Sequence, residues 1–177
     1  MTVIDARVRL PQDRRPDKMY SGPARQTEQY DRVLGLTDKM NGGRLVDLLA
    51  DLDANGIGHA VMHAETEGGE SAEALNDALC RVLFEHPDRF TGVGTVDVLG
   101  VGPTVAARQA AAAHAAGLRG ISVQPAFFGL DIDDRALYPL YSRAEELGLI
   151  VAIHTGITYS RIHPMRHECV PNSSCLR

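Results

Sequence analysis

Along VIDARVRL (residues 3–10), apolar and polar side chains alternate with a period of two. Ile4, Ala6, Val8 and Leu10 share one parity, and Val3, Asp5, Arg7 and Arg9 share the other. The segment predicts a β-strand with one apolar face and one face carrying two like charges. A guanidinium is costly to bury unpaired, so Arg7 and Arg9 need an explanation. Further on, Leu45, Leu48, Leu49 and Leu52 fall at helical spacing, and Asn55-Gly56 closes that helix. IGHAVMHAE (57–65) predicts a second strand. A helix capped by Ser71 follows, with the stripe Leu75, Leu79, Val82 and Leu83, and it ends at His86-Pro87. TGVGTVDVL (91–99) predicts a third strand, and Pro103 opens an alanine-rich helix with a narrow packing face that ends at Gly117. LRGISVQPAFF (118–128) predicts a fourth strand. Asp133 or Asp134 caps the next helix, which has Pro139 in its first turn and stops at Gly148. LIVAIHTG (149–156) is continuously apolar, as a parallel strand buried on both faces should be.

Strand and helix thus alternate four times before a fifth strand, the order that builds a parallel sheet with crossover helices. A closed eight-stranded barrel takes about 250 residues, and this chain has 177. The pattern therefore predicts an α/β fold with about five parallel strands and four crossover helices. It is either an incomplete TIM (β/α)8-type barrel or an open doubly wound sheet. The stretch from Pro11 to about Asn41 is too long for a simple connector. It is expected to cover the strand ends, with Arg14, Arg15 and Tyr20 as contacts.

Composition narrows the function classes. With 18 basic and 23 acidic residues the net charge is −5, which leaves no broad basic field for nucleic acid. No run approaches the roughly 18 apolar residues of a membrane span, and no apolar leader opens the chain. Cys80, Cys169 and Cys175 have neither metal nor disulfide spacing, so a cytoplasmic setting is expected.

In either architecture the chemistry lies at the carboxyl ends of the strands. Those ends offer Arg7 and Arg9, His63 and Glu65, Asp97, Gln124 and His154. Glu65 and Asp97 serve either the site or the cap of the following helix, and His154 either the site or a neighbouring backbone group. Paired guanidiniums suit a carboxylate or phosphate, which makes Arg7 and Arg9, with Gln124, a candidate anion site. The alternative is a structural network in which Asp5, Glu65 or Asp97 neutralises them. A flavodoxin-like cofactor site would need a phosphate-cradling loop after the first strand, and PQDRRPDKMY is neither Gly-rich nor short.

The segments VIDARVRL, HPDRFTGVGTVD, GLRGISVQP, DDRALYPLYSRAEELGLIVAIHTG and YSRIHPMRHE resemble the amidohydrolase-related family, the aminocarboxymuconate-semialdehyde decarboxylase-like metal-dependent hydrolases. The resemblance runs from about residue 2 to 168. It implies a TIM-barrel hydrolase or carboxy-lyase acting on small carboxylated or ring compounds, with a divalent metal, zinc or manganese. It also implies two metal-binding histidines in an Ile-Asp-x-His-x-His first strand and a third at the end of the fifth. His154 matches the third, and Arg7 and Arg9 stand where the first two are expected. A guanidinium cannot ligate a metal. His63 and Glu65 are ligand types on the adjacent strand. A carbamylated lysine is excluded, because Lys18 and Lys39 both lie in the long loop. The later His and Asp of the family, from its sixth and eighth strands, have no counterpart.

After Glu168 the likeness stops, so 1–168 reads as the N-terminal part of such a barrel. Residues 169–177 read as an atypical tail, disordered or left by truncation. Two functions follow. One is a truncated or divergent amidohydrolase-type enzyme with its metal absent or altered. The other is a catalytically silent α/β module that binds small anions. An open sheet would expose its edges, and a homo-oligomer would cover them.

Overall fold

A computed structural model describes residues 2–11, 43–66, 71–98 and 102–155. Five strands form one parallel sheet in the order of the chain. They are β1 (Val3–Arg9), β2 (Ile57–His63), β3 (Phe90–Thr95), β4 (Gly120–Val123) and β5 (Ile150–Ile153). Between them run α1 (Leu45–Ala54), α2 (Ala72–Glu85), α3 (Pro103–Ala115) and α4 (Tyr138–Leu147). The sheet curls into a half-barrel, so the incomplete TIM barrel, rather than the open doubly wound sheet, is the fold of this chain.

Parity decides which side chains meet the helices. Val8, Leu10, Ala60, Met62, Ala64 and Phe90 turn to the convex side and pack with Leu52, Leu75 and Leu79. Ile121 and Val123 do the same with Ala106, Ala110, Leu140 and Ala144 in a second core. Alanine on α3 lets α4 approach closely, which is what the narrow face predicts. The opposite parity lines the concave side: Arg7, Arg9, His63, Glu65, Thr95, Ser122, Gln124 and His154.

The element ends follow local chemistry. The Ser71 hydroxyl accepts from the Ala74 N–H at 3.2 Å and caps α2. Pro103 and Pro139 each lie in a first helical turn, where the missing N–H costs nothing. Gly148 takes the left-handed conformation (φ +65°) that ends α4.

Three expectations need correction. The fourth strand stops at Val123, because Pro125, lacking an N–H, opens a 3-10 turn over Pro125–Phe128. Asp134 caps a separate short turn, Arg135–Leu137, with its carboxylate accepting from Ala136 N–H at 2.8 Å, and α4 begins only afterwards. β5 is not buried on both faces. Ile150 is exposed, and among the described residues only β4 pairs with the strand. The loop carrying Arg14, Arg15 and Tyr20 and the division at residue 168 lie outside the described residues.

Candidate functional site

The sheet's parallel register sets the site. Arg9 pairs with His63 across β1 and β2, so the last residues of these strands stand side by side. The ladder continues past the strands, with Leu10 N–H donating to His63 C=O at 2.9 Å and Ala64 N–H to Val93 C=O at 2.9 Å. Glu65 is thereby carried to the mouth of the half-barrel beside Arg7 and Arg9.

Its carboxylate meets both arginines. The Arg7 guanidinium donates to Oε1, and Arg9 Nη2 lies 3.0 Å from Oε2. The Glu65 side chain is 4% exposed while each arginine is 44% exposed. A carboxylate that deep needs charged partners, and it has two. Two guanidiniums around one carboxylate leave one positive charge in excess within the triad. Arg7 Nη2 also lies 3.5 Å from His154 Nδ1, so the first and fifth strands converge on one guanidinium. Two residues earlier on β1, the Asp5 carboxylate accepts from the Arg7 backbone N–H at 2.9 Å.

His63 is buried beside this cluster, and burial, followed by the charge of Arg7, pushes its pKa below the ordinary value. The nearby Glu65 carboxylate and a hydrogen bond with the Ala6 backbone pull the other way. Its Nδ1 is buried without a hydrogen-bond partner among the described residues. Gln124 is buried just past β4, next in the ladder to His154, whose N–H donates to Val123 C=O at 2.9 Å. Arg7 thus joins Glu65 to His154, Glu65 joins Arg7 to Arg9, His63 lies within electrostatic range, and Gln124 stands on the adjoining strand end.

Asp97 has a different role. Both its carboxylate oxygens accept from the Ala72 N–H at 3.3 Å, and Gln109 Nε2 donates to Oδ2 at 2.9 Å. It therefore caps α2, the helix before its strand rather than the one after. Gln109 also donates to Glu73 at 2.6 Å and accepts from the Asp97 N–H at 2.8 Å, locking the tops of α2, β3 and α3 together. The sequence reading missed Glu73, Gln109 and Asn76. The available signal was one glutamine in a run of alanines.

Fold and strand-end cluster together define a TIM-barrel-type protein whose polar mouth is built on β1, β2 and β5. The Amidohydrolase family model matches residues 4–174, and the chain belongs to that family. A 2-amino-3-carboxymuconate-6-semialdehyde decarboxylase of Dictyostelium discoideum is 31% identical over 83 residues, covering 47% of this chain and 23% of that protein. The 5-carboxyvanillate decarboxylase of Sphingomonas paucimobilis matches in fold with a TM-score of 0.68 at 20% identity, over 87% of this chain and 52% of that one. The corresponding enzyme of Novosphingobium aromaticivorans, solved with manganese and 4-hydroxy-3-methoxy-5-nitrobenzoic acid, matches at 0.57 and 28% identity, over 68% of this chain and 37% of that one. The chain spans well under two thirds of the length of each. No helix among the described residues is long and apolar enough to cross a membrane.

Proposed function

We propose that the strand ends bind the carboxylate of a small ring-bearing acid, and that the reaction served is a decarboxylation or hydrolysis of that acid. The observation that carries this reading is the Glu65 carboxylate holding Arg7 and Arg9 side by side while both guanidiniums stay partly open to solvent. Guanidiniums fixed in this way lose little rotamer freedom when a ligand arrives, and the planar N–H fork of a guanidinium matches the two oxygens of a carboxylate. The excess positive charge favours an anion over a neutral ligand. The relatives act on carboxylated compounds, which agrees with this choice.

A second reading, binding without turnover, is favoured by the same triad, because its groups are engaged with one another rather than poised as acid and base. One experiment separates the two. The chain is titrated calorimetrically with 4-hydroxy-3-methoxy-5-nitrobenzoic acid, and 5-carboxyvanillate consumption is followed spectrophotometrically. Replacing Arg7, Glu65 and Arg9 together by Met removes every charge of the triad and leaves no buried ion unpaired. That variant should bind the acid about ten- to a hundredfold more weakly, the loss expected for one or two charge-assisted hydrogen bonds. Unchanged affinity overturns the carboxylate reading. Binding without consumption selects the silent module.

A further inference from the structure

Members of a metal-dependent family are expected to hold a divalent cation at these strand ends, and the described side chains do not fit one. A guanidinium nitrogen has no lone pair to give, and it keeps its charge at any relevant pH. Both oxygens of Glu65 already face an arginine. The remaining imidazole at the mouth, His154, turns Nδ1 toward Arg7 Nη2 at 3.5 Å. A catalytic zinc takes three protein ligands, and no group of three His, Cys, Asp or Glu side chains able to hold a metal occurs among the described residues.

We propose that in this chain the Glu65-locked pair Arg7 and Arg9 takes the place of the cation, so that the ligand's carboxylate is received directly and without a divalent metal, with His154 serving as a donor through Nε2. The identity of the substrate rests on the carboxylate reading above; the exclusion of the metal does not. The orientation of His154 follows from hydrogen-bond bookkeeping. Arg7 can only donate, so Nδ1 is the acceptor in this contact, and the ring then carries its proton on Nε2. That N–H is a donor for an anion, and while Arg7 occupies Nδ1 neither ring nitrogen offers a lone pair to a metal. Glu65 serves as the positioning residue, since it sets both guanidiniums without itself presenting a free oxygen.

The test uses the whole chain after treatment with chelator. Manganese and zinc are titrated in turn by calorimetry with elemental analysis, and the histidine ring nitrogens are read by 15N NMR. The expected result is no stoichiometric metal, with His154 in the Nε2–H form. Arg7→Met should release that ring to a mixture of tautomers, while Arg44→Met, at the exposed Arg44–Asp47 pair that opens α1, should not. One manganese or zinc per chain that disappears in His154→Ala overturns the proposal, as does an Nδ1–H ring in the unaltered chain. A chain that refuses both metal and acid upholds the exclusion of the metal and overturns the direct reception of a carboxylate together with the function proposed above. A chain that binds the acid only once manganese is present does the reverse.

Discussion

Arg9 and Glu65 meet at 3.0 Å across the first two strands, and their unequal burial makes the pair asymmetric. Removing Glu65 strands two guanidiniums that water can still reach. Removing the arginines strands a carboxylate that water cannot. Arg7→Met with Arg9→Met should therefore destabilise the fold by about 3–5 kcal/mol, the cost of breaking a buried pair. Glu65→Met should cost less, about 1–2 kcal/mol, because the exposed arginines recover hydration. Urea denaturation of the three proteins measures the order. A larger loss for Glu65→Met would mean that the carboxylate is not the buried partner.

The second prediction concerns Asn76, which lends its side chain to the backbone of β3 as if it were another strand. Its Nδ2 donates to Thr95 C=O at 2.9 Å, and its Oδ1 accepts from Thr95 N–H at 2.8 Å, both in the core. Asn76→Ala leaves both backbone groups buried and unpaired. The expected loss is about 2–4 kcal/mol, with faster hydrogen exchange at the Thr95 amide. An amide at Thr95 that stays protected in the variant would show that another group had taken over the pairing.

Much of this fold was legible in the residues because the two periods, two for strands and 3.6 for helices, are enforced by burial itself. Val8 and Leu10 against Arg7 and Arg9 already separate the convex from the concave side of β1. The strand-end location of Arg7, Arg9, Glu65 and His154 was legible for the same reason. What the sequence does not carry is which of these side chains touch. The Arg7–Glu65 pair joins residues 58 apart in the chain, and parity alone left Asp5, Glu65 and Asp97 equally eligible as counter-ions. Asp97 turned away to cap α2 because Gln109 holds it there, a contact that no local pattern announces. Nor does the apolar pattern mark where a strand stops, because apolar residues continue past the last ladder bond of β4 into the turn that Pro125 opens.

The third prediction is a dependence of stability on pH. His63 has its pKa lowered from 6.5, by burial first and the Arg7 charge second. In the unfolded chain the imidazole titrates near 6.5, so just below that pH the unfolded chain binds more protons than the folded one. Stability then rises with pH across this window. The contribution is complete above about pH 6.5 and is lost as pH falls through the lower folded value. Thermal melts from pH 7.5 downward should show this decline, and His63→Leu should remove that component. A variant whose melts track the original chain through the same window would assign the decline to other groups.

The last prediction links packing to the site through Gly120. This residue pairs with Ile150 across β4 and β5. A Cβ built on it would lie 2.6 Å from the Ile150 carbonyl oxygen and 3.2 Å from Ile150 Cβ. The obstacle is largely backbone, which cannot step aside by changing rotamer, so Gly120→Ala must push β5 away. The substitution should cost about 1–3 kcal/mol, as overpacking does. His154 follows β5 directly, so the same displacement should disturb its contact with Arg7. Gly92→Ala is the control: its Cβ would meet Leu83 and Leu118 methyl groups at 2.5 and 2.7 Å, the far ends of flexible side chains. Both variants should lose stability, but only Gly120→Ala should shift the ring signals of His154 and speed exchange at the Ile150 amide, which donates to Arg119 C=O at 3.1 Å. Equal shifts in the two variants would mean that His154 is held independently of the register between β4 and β5.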